Sequence, residues 1–257
     1  AKAFLEALLK AFETGPQASL PRGRAKWLRS LRADVSKRRA KLDEHLSKDC
    51  MPLHPARVPV ACQRIFGDDA FMVVDGGNTA IWANFFHQVR TPNTIVTTPK
   101  MGMLGAGCSQ PLGVKAAHPD RPVYCIIGDG AMGFHVQEVE TAVRNDLQVI
   151  WLVLCDKQWG MVKMNQQFAL KPIKTLLLKS LGPDETINTD LQEIRWDDVA
   201  RAMGAHGERV AEPGELREAI KRSKACRRVS VIHVDDDPGK HRLSLIHSCR
   251  CRRRGRW

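Results

Sequence analysis

Residues 123–162, VYCIIGDGAMGFHVQEVETAVRNDLQVIWLVLCDKQWGMV, decide how this chain folds. Apolar runs over 122–127 and 148–155 flank a stretch with helical character at 135–145. Neither run alternates apolar with polar residues, which is the pattern of strands covered on both faces of a parallel sheet. Each run ends in an acid among turn residues: Gly128-Asp129-Gly130 after the first, Asp156-Lys157-Gln158-Trp159-Gly160 after the second. Asp156 follows Asp129 by 27 residues, enough for one crossover helix and the adjacent parallel strand. The two carboxylates should therefore emerge side by side at neighbouring strand ends, where open α/β sheets bind their ligands. A glycine-flanked acid also turns backbone N–H groups outward to meet an anion. Two adjacent oxygen ligands suit Mg²⁺ when it takes further oxygens from a phosphate group. Taken singly, each acid is equally at home as a helix cap or turn residue; the pair is what points to a metal.

The same texture extends outward from this core. Further strands are expected at 70–75, 94–98 and 229–235, with helices at 54–65, 78–88, 105–117, 195–204 and 213–224. The order βαβα with short loops implies a doubly wound parallel sheet with helices on both faces. Ahead of it, Phe4, Leu5, Leu8, Leu9 and Phe12 give residues 2–12 one apolar helix face. ETGPQASLPRG breaks that helix, and a polar helix is expected over 24–48, with few apolar anchors among many charges. The α/β domain is thus preceded by a helical linker.

At this point the stretch resembles the thiamine-diphosphate motif as found in acetolactate synthase and its relatives: GDG, then some thirty residues on a turn at a strand end, then Gly160-Met161-Val162. Upstream, PKMGMLGAGCSQPLGVKAAHPDRPV (99–123) and VVDGGNTAIWANFF (73–86) are similar to the segments that precede the motif in that family. The resemblance implies thiamine diphosphate and Mg²⁺ as cofactors, with Asp129, Asp156 and the backbone carbonyl of Gln158 as metal ligands. It implies cofactor contacts at Asn78, Thr79, Gly102, Met103, Leu104, Gly128, Asp129, Gly130, Ala131, Asp156, Gln158, Gly160 and Met161. Leu104 falls on the bulky apolar residue that wedges between the cofactor's two rings, and without the family match it reads as an ordinary core leucine. Asn78 and Thr79 fall on the diphosphate contacts, and read locally they are also N-capping residues. The chain departs from the family at three positions: Cys155 and Asp156 replace the two usual asparagines, and Asn165 stands where acetolactate synthase commonly has Trp.

The resemblance further implies action on 2-keto acids, either acetolactate synthase-like carboligation or decarboxylation of a 2-keto acid or acyl-CoA substrate, in a homodimer or homotetramer. The family's catalytic Glu comes from a pyrimidine-binding domain that no segment here resembles, so no catalytic residue is assigned and the chain alone is expected to be inactive. On this basis residues 1–14 are the end of a truncated central domain, 15–50 the linker, 51–237 the cofactor-binding domain and 238–257 a disordered or artefactual basic tail. The N-terminus lacks a Met and any signal-peptide pattern, so the chain is expected to begin inside a longer protein.

Bulk properties test the rival classes. The formal net charge is +12, which invites nucleic acid as a partner. Half of that excess comes from the last sixteen residues, RLSLIHSCRCRRRGRW, which hold six arginines and no acid. Aromatic residues do not interleave with the basic runs as stacking platforms would. Neither a nucleic-acid nor a membrane partner is therefore expected; no apolar run of 18 residues exists. The eight cysteines form no CxxC pair and several sit in apolar runs, so buried reduced thiols and a cytoplasmic location are expected.

Overall fold

The computed structural model describes residues 1–15, 22–43, 46, 52–98, 102–170, 172, 173, 177 and 186–236. The chain divides into two units, Ala1–Ser47 and Lys48–Trp257. The first contains helices α1 (Lys2–Thr14) and α2 (Arg22–Asp43). The apolar face of α1 is formed as expected, yet Phe4, Leu9 and Phe12 are 70%, 60% and 76% exposed. The helix expected over 24–48 is described only as far as Asp43.

The second unit runs α3 (Arg57–Phe66), β1 (Phe71–Asp75), α4 (Asn78–Phe86), β2 (Ile95–Thr97), α5 (Ala106–Ala117), β3 (Val123–Gly128), α6 (Asp129–Met132) and α7 (Glu138–Arg144). It continues through β4 (Val149–Cys155), α8 (Gly160–Leu170), α9 (Trp196–Ala202), β5 (His206–Val210), α10 (Glu215–Ala225) and β6 (Ser230–Asp235). The six strands form one sheet in the order β2-β1-β3-β4-β6-β5, and every pairing is parallel. The chain passes from β1 to β2 on one side and then returns to place β3 on the other. That reversal opens a crevice at the carboxyl ends of β1 and β3, the position where doubly wound sheets hold ligands.

Strand periodicity builds two cores. Met72, Val74, Tyr124, Ile126, Leu152 and Ile232 face one side, packed with α3, α4 and α10. Val73, Cys125, Ile127, Trp151, Val153 and Val231 face the other, packed with α5, α7 and α9. Because each strand side chain is covered whichever way it points, the strands read as unbroken apolar runs. Burial of each such aliphatic side chain stabilises the fold by about 1.5–3 kcal/mol, and this fixes the strand register that aligns Gly128 with Leu154.

Two expectations need correction. β5, HGERV, was not among the expected strands; it is an edge strand, mostly half-buried, and its polar residues carry no double-covered signal. Not all thiols are buried either. Cys62, Cys108, Cys125 and Cys155 are buried and free, while Cys226 is exposed at the end of α10, whose neighbouring residues face solvent. The tail, and with it Cys249 and Cys251, lies outside the described residues, as does Cys50.

Candidate cofactor site

Four segments meet at the crevice: the turn after β1, the loop 102–105 before α5, the GDG turn after β3, and the turn from Asp156 to Gly160 after β4. They enclose a cleft of about 630 Å³. Every residue singled out from the sequence lines it, from Asn78 and Thr79 through Gly102, Met103 and Leu104 to Gly160 and Met161. The parallel pairing of β3 with β4 explains this convergence, since two neighbouring strands that end level must deliver their next residues to one place.

Asp129 is bonded to the turn that carries Asp156. Asp129 is buried; its Oδ1 accepts the N–H of Gly130 at 2.7 Å and its Oδ2 accepts the N–H of Lys157 at 2.9 Å. Burial raises its carboxyl to about 6 against the pull of those amides. Asp156 is raised to about 7, by burial first and then by the charge of Asp129. The Gln158 side chain donates to Asp156 Oδ2 at 3.2 Å, and the Gln158 backbone amide also bonds this carboxylate. Burial disfavours the ionised form of both acids, and the charge of Asp129 adds to this at Asp156. Lys157 contributes little positive charge here: its backbone lies at φ 56°, its ammonium turns outward to Glu193 at 2.7 Å, and its charge is the least of the causes that lower the Asp129 carboxyl.

Among the described residues lining the cleft there is no lysine, arginine or histidine, but there are three aspartates, Asp75, Asp129 and Asp156. The polar atoms of Asn78 are buried and neither Nδ2 nor Oδ1 has a hydrogen-bond partner. Such an orphaned amide costs about 1–3 kcal/mol unless a ligand completes it. Gly160 shows how tightly this corner is packed: a Cβ there would fall 2.5 Å from Asn78 Nδ2 and 3.0 Å from Asp156 Oδ2. The arrangement fits a hard divalent cation that joins the two acids to an oxygen-rich anion, with Asn78 beside it.

Several lining residues were not singled out beforehand. Asp75, Gly76 and Gly77 repeat the acid–glycine spelling of the GDG turn at the end of β1, a signal the sequence did carry. Trp159 shields Gly130, and with Phe134, at a ring separation of 5.8 Å, forms a wall between the cleft and a smaller apolar cavity. Its contacts are tertiary, so sequence spacing does not disclose them. Asn165, where the resemblance expects Trp, is exposed and lies outside the lining residues.

The chain is similar to known proteins in both sequence and fold. Over 212 residues the chain is 32% identical to a "Probable acetolactate synthase" of Mycobacterium bovis, covering 82% of this chain and 37% of that protein. It is 30% identical over 190 residues to a "2-hydroxyacyl-CoA lyase 2" of Caenorhabditis elegans, covering 72% of this chain and 27% of that one. The chain therefore spans about a third of the length of the curated relatives it matches. In fold it is similar to the benzoylformate decarboxylase of Polynucleobacter necessarius, with a TM-score of 0.61 at 23% identity, over 74% of this chain and 34% of that structure. The family described as "Thiamine pyrophosphate enzyme, C-terminal TPP binding domain" matches residues 75–234, well over half of the chain, and this chain belongs to that family.

Proposed function

We propose that this chain is the diphosphate- and metal-binding part of a thiamine-diphosphate-dependent, Mg²⁺-dependent enzyme acting on 2-keto acids, with acetolactate synthase-like carboligation as its reaction. The observation that carries the reading is the cleft's charge: paired acids, an unsatisfied amide and no basic side chain among the described lining residues. Among the described lining residues no lysine or arginine is available to hold a diphosphate, so a divalent ion would supply the counter-charge. Asp129, Asp156 and the Gln158 carbonyl would hold the ion through three oxygens, and the ion would supply the positive charge that a diphosphate needs. Among the described residues no group of three or more His, Cys, Asp or Glu side chains is placed to hold a metal ion, so the proposed site rests on two carboxylates and a backbone carbonyl.

Asn78 and Thr79 open α4, and Gly160 and Met161 open α8, so two helix N-termini face the diphosphate with unpaired N–H groups. Gly102, Met103 and Leu104 bound the other wall, where the rings would lie. When bound, thiamine diphosphate supplies the electron sink for making or breaking a bond next to a keto carbon. Glu138 and Glu140 sit in the first turn of α7, and no Glu lines the cleft among the described residues. On this reading the chain would hold cofactor and metal, and the carboxylate that activates the cofactor would be supplied by another part of the enzyme. The segments 1–14, 15–50, 51–237 and 238–257 keep the assignments given above, in a cytoplasmic homo-oligomer. No helix among the described residues is long and apolar enough to cross a membrane. A second outcome, cleavage or decarboxylation of an acyl-CoA or 2-keto acid, is supported by the similarity to the 2-hydroxyacyl-CoA lyase.

Calorimetric titration of thiamine diphosphate into this chain, with and without Mg²⁺, tests the reading. Binding should require Mg²⁺, and Asp129→Ala should abolish it. Equal binding by Asp129→Ala and the unaltered chain would make the GDG turn structural and end the assignment.

A further inference from the structure

Asp75 is the third carboxylate of the cleft, and neither metal nor diphosphate binding as described above uses it. It ends β1 at 5% exposure, and no cation pairs with it among the described residues. Its partners are two backbone amides: Oδ1 accepts Gly76 N–H at 2.6 Å and Oδ2 accepts Gly107 N–H at 2.8 Å. A buried carboxylate without a counter-charge costs folding free energy, and apolar residues of similar size are tolerated better. What two acceptors accomplish here is geometric. Gly76, at φ 106°, starts the turn that leads to Asn78 and Thr79. Gly107 lies in the first turn of α5, three residues beyond Leu104, and the N-cap of α5, Gly105, offers no side chain to its free amides.

One side chain is therefore bonded to the start of the diphosphate wall, at Gly76, and to the helix start, at Gly107, that follows the wall formed by Gly102, Met103 and Leu104. The joint is stiff. A Cβ at Gly107 would fall 2.5 Å from the Asp75 Cβ, and the Gly107 carbonyl is held from behind by Trp151 Nε1 at 2.9 Å. Resting on the reading that the cleft holds thiamine diphosphate, we propose that Asp75 is a positioning residue that sets the distance between the diphosphate-binding turn and the ring-binding loop. It does this by accepting the N–H of Gly76, which opens that turn, and the N–H of Gly107, in the helix start directly behind that loop.

Asp75→Asn is the sharpest test, because it keeps size and packing but turns one acceptor into a donor facing an N–H. Mg²⁺–pyrophosphate, which needs one wall, should bind within about twofold of the unaltered chain. Mg²⁺–thiamine diphosphate, which needs both, should bind at least tenfold more weakly, about 1.4 kcal/mol. Amide hydrogen exchange without any ligand should quicken at Gly76 or Gly107. Loss of both ligands together would make Asp75 part of the diphosphate site or of the fold, and retention of both would leave it no positioning role; either outcome overturns the proposal. If the unaltered chain fails to bind thiamine diphosphate, the functional reading falls and the proposal with it, whereas unchanged exchange at both amides removes the strut alone. Should Asp75→Asn not fold, Asp75→Glu, which keeps both acceptors but displaces them by a methylene, must show the same split in affinity.

Discussion

Replacing Asp156 by Asn should stabilise the metal-free chain at pH 8 and do nothing near pH 4. The carboxyl of Asp156 is raised from an ordinary 3.8 to about 7 in the fold, by burial and by Asp129. A folded-state pKa above the unfolded one means that the native state binds the proton more tightly. Between pH 4 and 7 the native chain keeps a proton that the unfolded chain has released, so stability falls as pH rises through this window. Above about 7 the whole cost is present. The gap between 3.8 and about 7, at roughly 1.36 kcal/mol per pH unit, sets an upper limit of about 4 kcal/mol. Water in the open cleft screens part of this, and about 2 kcal/mol is the expected gain for Asp156→Asn at pH 8. For a unit of this size that corresponds to roughly 4–8 °C in Tm. Thermal unfolding of both proteins in EDTA at pH 4.5 and pH 8 measures it. At pH 4.5 Asp156 already carries its proton, and the difference should shrink to a few tenths of a kcal/mol. A gain of equal size at both pH values, or a loss at pH 8, would refute the argument that the paired charges cause the instability.

The same pair makes metal binding pH-dependent: Mg²⁺ must displace protons from groups near 6 and 7, so its affinity should fall steadily as pH drops from 8 to 5.5, measured by Mg²⁺-induced change in Tm. Asp156→Asn should flatten this dependence, and a parallel slope in the variant counts against the assignment. Gly160→Ala should cost about 1–3 kcal/mol in stability and abolish Mg²⁺-dependent thiamine diphosphate binding, because the methyl group collides with Asn78 and Asp156. Deleting residues 242–257 should remove most salt-sensitive duplex binding; a shortened chain that still holds DNA at physiological salt would restore the nucleic-acid hypothesis.

How much of this was legible in the sequence follows from where each signal lies. β1, β3, β4 and β6 were readable because both faces of those strands are covered, leaving unbroken runs such as VIWLVLC. β5 was not, because an edge strand with Glu208 and Arg209 looks like a loop. The helix Gly160–Leu170 was also missed; its polar residues give little periodicity, and of its eleven residues only Met164 and Gln167 are buried. The paired aspartates were legible because one crossover fixes their spacing. The role of Asp75 was not, since its partner Gly107 lies 32 residues away.

Asp75 and Asp129 make the point most clearly. Both are acids in glycine turns at the ends of adjacent strands, and both accept two backbone amides. Their second amide donors differ, and so do their neighbours. Asp129 takes its second N–H from the turn that carries Asp156, which brings a second negative charge beside it and creates the demand for a cation. Asp75 takes its second N–H from a helix start, whose partial positive charge favours a carboxylate without calling for a metal. Similar local spelling thus gives two buried acids with different proposed roles, a metal ligand in one turn and a strut in the other. The deciding contact is made by a residue that the strand order, and not the chain order, brings alongside.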